Sequence, residues 1–214
     1  MLRLILIIFV GAGMLIFHGV SEYKLAKGVS TTPETISLQE LEKGVPDNPY
    51  RTIEEHVPMG AGSIYYGDRD SDSIDYAYYP IFTDAEIGEA VEKLAPKHGG
   101  DTDQITYAEA FTVLTPHVIV KTKRWHTKAA LGKAIDDDKF PTKLTGMVIN
   151  KVDSLSGDER RLLKENFAKL NVDQCVIFEE GRKPSSSSYA FGVMAAGSLL
   201  GLLGLGVSAS ALRG

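Results

Sequence analysis

Hydrophobic positions along this 214-residue chain collect into two long uncharged runs at its ends. From Leu4 to Phe17 ("LILIIFVGAGMLIF") no residue is charged, with Arg3 before the stretch and His18 after it. Carried through Val20 the run reaches about 17 residues, the shortest that crosses a hydrocarbon core of roughly 30 Å. From Tyr189 to Leu212 ("YAFGVMAAGSLLGLLGLGVSASAL") there are 24 residues without a charge, about 36 Å as a helix. The pattern predicts a membrane anchor over 1–21 and a transmembrane helix over 189–212. Gly197, Gly201, Gly204 and Ser208 fall at i, i+4, i+7 and i+11 and so share one helix face. Small residues there let another helix approach closely. The expected partner is the first span, at Gly11 and Gly13, or a second copy of the same helix.

Between the ends the pattern breaks into short elements. Residues 22–35, with "KGVSTTPET", and 181–188, within "EEGRKPSSSSY", are rich in Ser, Thr, Pro and Gly and read as tethers. They flank a domain of 36–180. Three Ser/Thr-x-x-Glu capping boxes start helices there: Ser37 with Glu40, Thr83 with Glu86, and Ser156 with Glu159. Gly44, Pro96 and Asn171 stop them. In the third, Leu162, Leu163, Phe167 and Leu170 recur at helical spacing while Arg160, Arg161, Lys164 and Glu165 face elsewhere. Strands are predicted in "SIDYAYYPIF", "FTVLTPHVIVKT", "KLTGMVINKV" and "DQCVIFEE", each β-branched or aromatic and bounded by turn residues. Helices and strands mix without regular alternation. The expectation is an α+β domain, a small mixed sheet or partly open barrel with short helices, flanked by the two transmembrane helices.

Two other readings of the ends compete with a pair of spans. A basic start, an apolar core and the small triplet Gly19-Val20-Ser21 also describe a cleaved secretory signal. An uncleaved anchor is favoured because no alanine-type cleavage site is present. "PSSSSY" before a terminal apolar tail resembles a lipid-anchor signal, which needs a polar spacer of about 8 to 12 residues. Here the apolar run starts directly at Tyr189. Lys24, Lys27, Arg182 and Lys183 flank the spans on the loop side, against Arg3 and Arg213 on the tails. Taken alone, that charge bias points the loop to the cytoplasm, yet long loops translocate largely regardless of charge. The signal-like start favours an extracytoplasmic domain on the inner membrane.

Charge alters the picture at one place. The chain holds 23 basic and 28 acidic residues, and the acids all lie between the apolar ends. This balance argues against nucleic acid as a partner. Yet "VKTKRWHTK" sets Lys121, Lys123, Arg124, Trp125 and Lys128 together, and no acid occurs from Thr112 to Ile135. Strand alternation would put Lys121 and Lys123 on one face with Trp125. Beside a bilayer such a face suits anionic lipid headgroups, at about 1 kcal/mol per cation. It equally suits the domain's own acidic segments or another membrane protein. A solvated strand end with Trp125 partly in the core is the plainer alternative.

No motif for chemistry passes its own spacing test. Asp68, Asp70, Asp72 and Asp75 alternate like calcium-loop ligands, but positions six and twelve of that loop are Ser73 and Tyr79 rather than Gly and an acid. His56, His98, His117 and His126 lack zinc-site spacing. Ser63 in "GAGSIYYG" sits in neither a nucleophile elbow nor a phosphate loop. Cys175, the single cysteine, excludes an internal disulfide and reads as a buried strand thiol. No cofactor, metal site or catalytic residue is expected from these patterns.

Several stretches together carry a resemblance. "ISLQELEKGVPDNPYRTI", an aromatic strand into "YYPIF", "VIVKTKR", "LTGMVINKVDSLSGDERRLLKENF" and "IFEEGRKPSSSS" before the last span resemble a group of uncharacterised two-pass bacterial membrane proteins with one large loop domain. The resemblance implies that architecture and brings no activity with it. The expected function is a membrane-anchored, non-enzymatic interaction or scaffold domain near the membrane surface. The alternative is a membrane-anchored enzyme whose site is not recognisable in sequence.

Overall fold

The computed structural model describes residues 2–26, 29–68, 70–149, 155–167 and 169–213. Lys27 of the first tether and residues 150–152 of the third expected strand lie outside the described residues. The chain divides into two compact units: Met1–Val29 with Pro184–Gly214, and Ser30–Lys183. Along it run α1 (Leu2–Ala26), β1 (Glu34–Ile36), α2 (Leu38–Glu42), β2 (Tyr50–Ile53), β3 (Val57–Pro58), β4 (Ile64–Tyr66) and β5 (Tyr76–Phe82). There follow α3 (Asp84–Leu94), α4 (Tyr107–Val113), β6 (Val118–Thr122), α5 (Lys128–Asp136), β7 (Leu144–Val148), α6 (Gly157–Asn166), β8 (Val176–Glu180) and α7 (Ser187–Arg213).

The first unit is a pair of helices, α1 and α7, packed antiparallel. Gly19 lies against Met194 and Ala190, Gly197 against Ala12 and Ile16, and Gly204 against Ile8 and Phe9. Each helix contains a stretch long and apolar enough to cross a membrane, Ile5–Lys24 and Ser188–Ala209. At the Ala26 and Ser187 end, the Tyr23 and Phe191 rings sit 5.2 Å apart, and the Ser185 hydroxyl donates to the Glu22 carboxylate.

The second unit is a curled mixed sheet, a half-barrel, in the strand order β1-β2-β7-β8-β6-β5, with β3 and β4 both on the outer side of β5. The β1/β2 and β6/β8 pairs are parallel and the rest antiparallel. Alternation explains how both faces are covered. One face carries Ala77, Tyr79 and Ile81 of β5, Val118 and Val120 of β6, Val176 and Phe178 of β8, and Leu144 and Val148 of β7 into the main core. Trp125, Leu131, Ala134 and Phe140 close that core. Tyr79, Trp125 and Phe140 meet edge to face at 4.9 to 6.0 Å, the arrangement that ring quadrupoles favour. A second cluster gathers Met59, Phe82, Ala90, Leu94, Ala110 and Leu114, so α3 and α4 cover a different part of the sheet.

Two local features show why β5 and β7 tolerate unusual residues. Proline inside a strand removes a ladder donor. The Pro80 carbonyl accepts from the Met59 N–H, so its ring nitrogen points the same way, toward the interval where neither β3 nor β4 pairs with β5. No donor is required there. Gly146 of β7 needs its missing side chain, because a Cβ would come within 2.1 Å of the Glu179 carbonyl oxygen.

The capping boxes at Thr83 and Ser156 are complete, and Ser37 accepts from the Glu40 N–H. A fourth box, Thr106 with Glu109, starts α4. It turns the front of "FTVLTPHVIVKT" into helix, and only Val118–Thr122 is strand. The third expected helix stops at Asn166, short of Asn171, with Phe167 leaving helical geometry at φ −115° and ψ 79°. The first tether holds β1, whose pairing with β2 is set by tertiary contact rather than composition.

Candidate functional site

The stretch "VKTKRWHTK" is divided between the interior and the surface. Strand β6 ends at Thr122, so strand alternation does not reach Trp125, which turns into the aromatic core and is 8 % exposed. Lys121 is 9 % exposed; its Nζ donates to Glu159 Oε1 at 2.7 Å and lies 4.0 Å from the Tyr76 ring centre. The Tyr78 hydroxyl donates to the same carboxylate oxygen. Burial, the largest single influence on Glu159, pushes its carboxyl up. The bonds from Lys121, Tyr78 and the Ser156 backbone together outweigh burial and hold it down at about 2. This network fastens α6 to β5 and β6. Arg124 pairs with Glu180, which also accepts from the Thr122 hydroxyl at 2.6 Å. Lys123 Nζ stands 4.9 Å from the Tyr76 ring and Lys128 Nζ 5.4 Å from the Tyr65 ring, both cation–π geometries. The expected face of free cations beside an indole is therefore not what the fold builds: two of its cations are paired with carboxylates and the indole is inside.

The fixed position of α6 opens a cleft of about 1120 Å³ between it and β4. One wall is β4 with the turn after it, Ser63 to Asp68. That turn is tight: a Cβ on Gly67 would approach the Ile74 Cα and the Ser73 carbonyl oxygen to 2.8 Å. The other wall is the outer face of α6, Asp158, Arg161, Leu162, Glu165 and Asn166. Arg161 and Glu165 of this wall are the residues expected to look away from the core, whereas Leu162, expected to pack with Leu163, is half-buried at the cleft and only Leu163 is fully buried. Asp68, Asp75, Asp158 and Glu165 give the cleft its charge, against Arg161, which lies 3.1 Å from Asp158 and 3.9 Å from Glu165. Tyr65 lines it at 42 % exposure, paired with Ala77 and with Lys128 Nζ beside its ring, and Ser63 Oγ is buried without a hydrogen-bond partner. None of these residues carries a recognisable motif. Asp68 and Asp75 entered the sequence reading only as members of a failed calcium pattern.

The remaining candidates fall elsewhere. Gly197, Gly201 and Gly204 face α1: a Cβ on Gly197 would meet Ile16 Cγ1 at 2.8 Å, and one on Gly204 would meet Ile8 Cγ2 at 3.0 Å. Ser208 donates to the Gly204 carbonyl within its own helix. On α1 the close approach falls at Ala12 and Gly19 rather than Gly13, beside which a Cβ would find open space. His56 is buried, with Nε2 3.0 Å from the Pro141 carbonyl, and burial lowers its pKa. Burial also pushes the Cys175 thiol up to about 11, making it a poor nucleophile at neutral pH. Among the described residues no group of three or more His, Cys, Asp or Glu side chains is arranged to hold a metal ion. No family model, curated protein or solved structure matches the chain.

Proposed function

We propose that the chain is a two-pass inner-membrane protein whose helix pair anchors an extracytoplasmic domain, and that this domain works by binding a partner near the membrane surface rather than by catalysis. One observation carries the anchoring. Both helices turn their large apolar side chains outward: Leu6, Ile7, Met14 and Phe17 of α1 are 63 to 76 % exposed, and Leu199, Leu202 and Leu203 of α7 are 63 to 65 % exposed. An apolar surface of that extent is costly in water and at home in lipid. The domain is joined to the pair at both ends of its chain, which suits a module held close to the bilayer. Its open cleft, lined by carboxylates, tyrosine and leucine, supports binding. The cationic stretch supports headgroup contact less well, since Glu159 and Glu180 already neutralise Lys121 and Arg124.

Two measurements test this. Replace Cys175 with Ser, introduce Ser186→Cys, and label intact cells with a membrane-impermeant thiol reagent: labelling is expected, whereas protection until permeabilisation would put the domain in the cytoplasm. A photo-crosslinking amino acid at Tyr65, with others at exposed Lys97 and Glu92, tests binding in native membranes. Adducts from Tyr65 above those from the other two positions are expected; absence of adducts from all three removes the interaction reading.

A further inference from the structure

The cleft beside β4 has an open strand edge as one wall, and the geometry points to its occupant: an extended, cationic peptide segment that adds to β4 as a further strand. This deepens the reading of the domain as an interaction module and rests on it. Strand β4 pairs with β5 alone among the described residues. No described strand covers its other edge, and an uncovered edge is a template for another chain. Native folds blunt free edges with charge, bulges or a covering element. Here α6 touches β4, and the cleft is lined by both, Ser63 to Gly67 on the strand side and Asp158 to Asn166 on the helix side. Peptide recognition by strand addition uses that layout, with main-chain bonds giving affinity and alternate side chains giving specificity.

The charge selects the occupant. Side chains alternating along an added strand would meet Asp158 and Glu165 on the helix side and Asp68 and Asp75 at the end of the cleft. Among the described lining residues Arg161 is the one basic side chain, and it lies between Asp158 and Glu165. A lysine- or arginine-bearing segment is favoured over an acidic one. A three-residue edge supplies few ladder bonds, so the complex is weak and relies on charge.

The experiment uses the full chain in phosphatidylcholine nanodiscs, whose neutral headgroups do not themselves attract cations. The probe is a fluorescent peptide of alternating Lys and Val; its companions replace every Lys with Glu or N-methylate alternate backbone nitrogens. Expected are binding of the Lys-Val peptide that falls with added salt, none of the Glu-Val peptide, and loss on N-methylation. The combined variant D68N/D158N/E165Q, which changes only exposed side chains, should bind about tenfold more weakly. Equal binding of the N-methylated peptide would overturn strand addition, and undiminished binding by the variant would overturn the cleft as the site. Failure of the Lys-Val peptide to bind would overturn the inference altogether. Adducts from Tyr65 in native membranes would then still support a binding module with another kind of partner, so the two failures are told apart.

Discussion

In the helix pair, the residues withdrawn from the surface include Ala12, Gly19, Ala190, Gly197 and Gly204, while Phe17 stands 76 % exposed and Ile7 67 %. In the domain the reverse holds: Tyr78, Tyr79, Phe82 and Phe178 are fully enclosed, and Asp68, Asp158 and Glu165 are outside. One chain thus follows two rules. In water, burying large apolar side chains is the main driving term, at roughly 25 cal/mol per Å². In lipid, a leucine gains little by leaving the hydrocarbon, so helices associate through close backbone approach at small residues. The difference teaches that a glycine can matter more than a phenylalanine in one unit and less in the other.

The largest expected effect breaks the comparison by making the same kind of change in both units. Phe178→Ala should lower domain stability by about 3 to 5 kcal/mol, because the cavity cannot fully collapse. Leu203→Ala, on the outer face of α7, should leave stability within about 1 kcal/mol. Unfolding of the full chain in detergent, followed by fluorescence of Trp125, the single tryptophan, measures the first. Helix content by circular dichroism measures the second. A comparable loss in both would show that the units obey one rule after all.

Next comes the buried ion pair. Lys121→Met leaves Glu159 facing Tyr78 without its cation, and removing one partner of a buried pair costs about 3 kcal/mol. The double variant K121M/E159L should recover part of that loss, since neither charge then remains to be desolvated. A larger loss in the double variant would mean that the Ser156 cap and the Tyr78 bond, not the ion pair, hold α6.

A crosslink sharpens the other side of the comparison. A Cβ on Gly201 would stand 3.8 Å from the Ala12 Cβ, the mean separation in disulfides. Ala12→Cys with Gly201→Cys, in a Cys175→Ser background, should therefore oxidise within one chain. Adding Gly197→Leu should suppress the bond by forcing the helices apart at Ile16. Disulfide-linked dimers in place of the intrachain bond would assign the small-residue face to a second copy.

The smallest effect depends on pH. Burial, then the neighbouring Glu86, raises the Glu42 carboxyl from 4.5 to about 7. Between these values the folded state binds the proton more tightly than the unfolded chain does, so this group's contribution to stability is full below about 4.5 and is lost as pH rises through 7. His56 acts in the opposite sense, its lowered pKa making stability fall as pH drops below the usual histidine range. The difference in Tm between the protein and Glu42→Gln isolates the first contribution, and it should change in the variant's favour from pH 4.5 to 7. A difference that is flat with pH would exclude the raised carboxyl.

What the sequence by itself determined is whatever local physics dictates. The two apolar runs are helices long and apolar enough to cross a membrane, as their length and lack of charge predict, and α3 and α6 start at Thr83 and Ser156 because a capping box satisfies its own backbone donors within one turn. Irregular alternation predicted a small mixed sheet or a partly open barrel, and the fold is a curled half-barrel. Tertiary structure decided whatever depends on partners far along the chain. The short strands β1, β2 and β4 exist through pairing, which three- or four-residue segments do not signal alone. Lys121 read as a surface cation because Glu159, the acid that neutralises it, lies 38 residues away. The cleft was illegible for the same reason: Asp68 and Asp75 come from one hairpin and Asp158 and Glu165 from one helix, and only the folding of α6 over β5 and β6 brings their charges to one cleft.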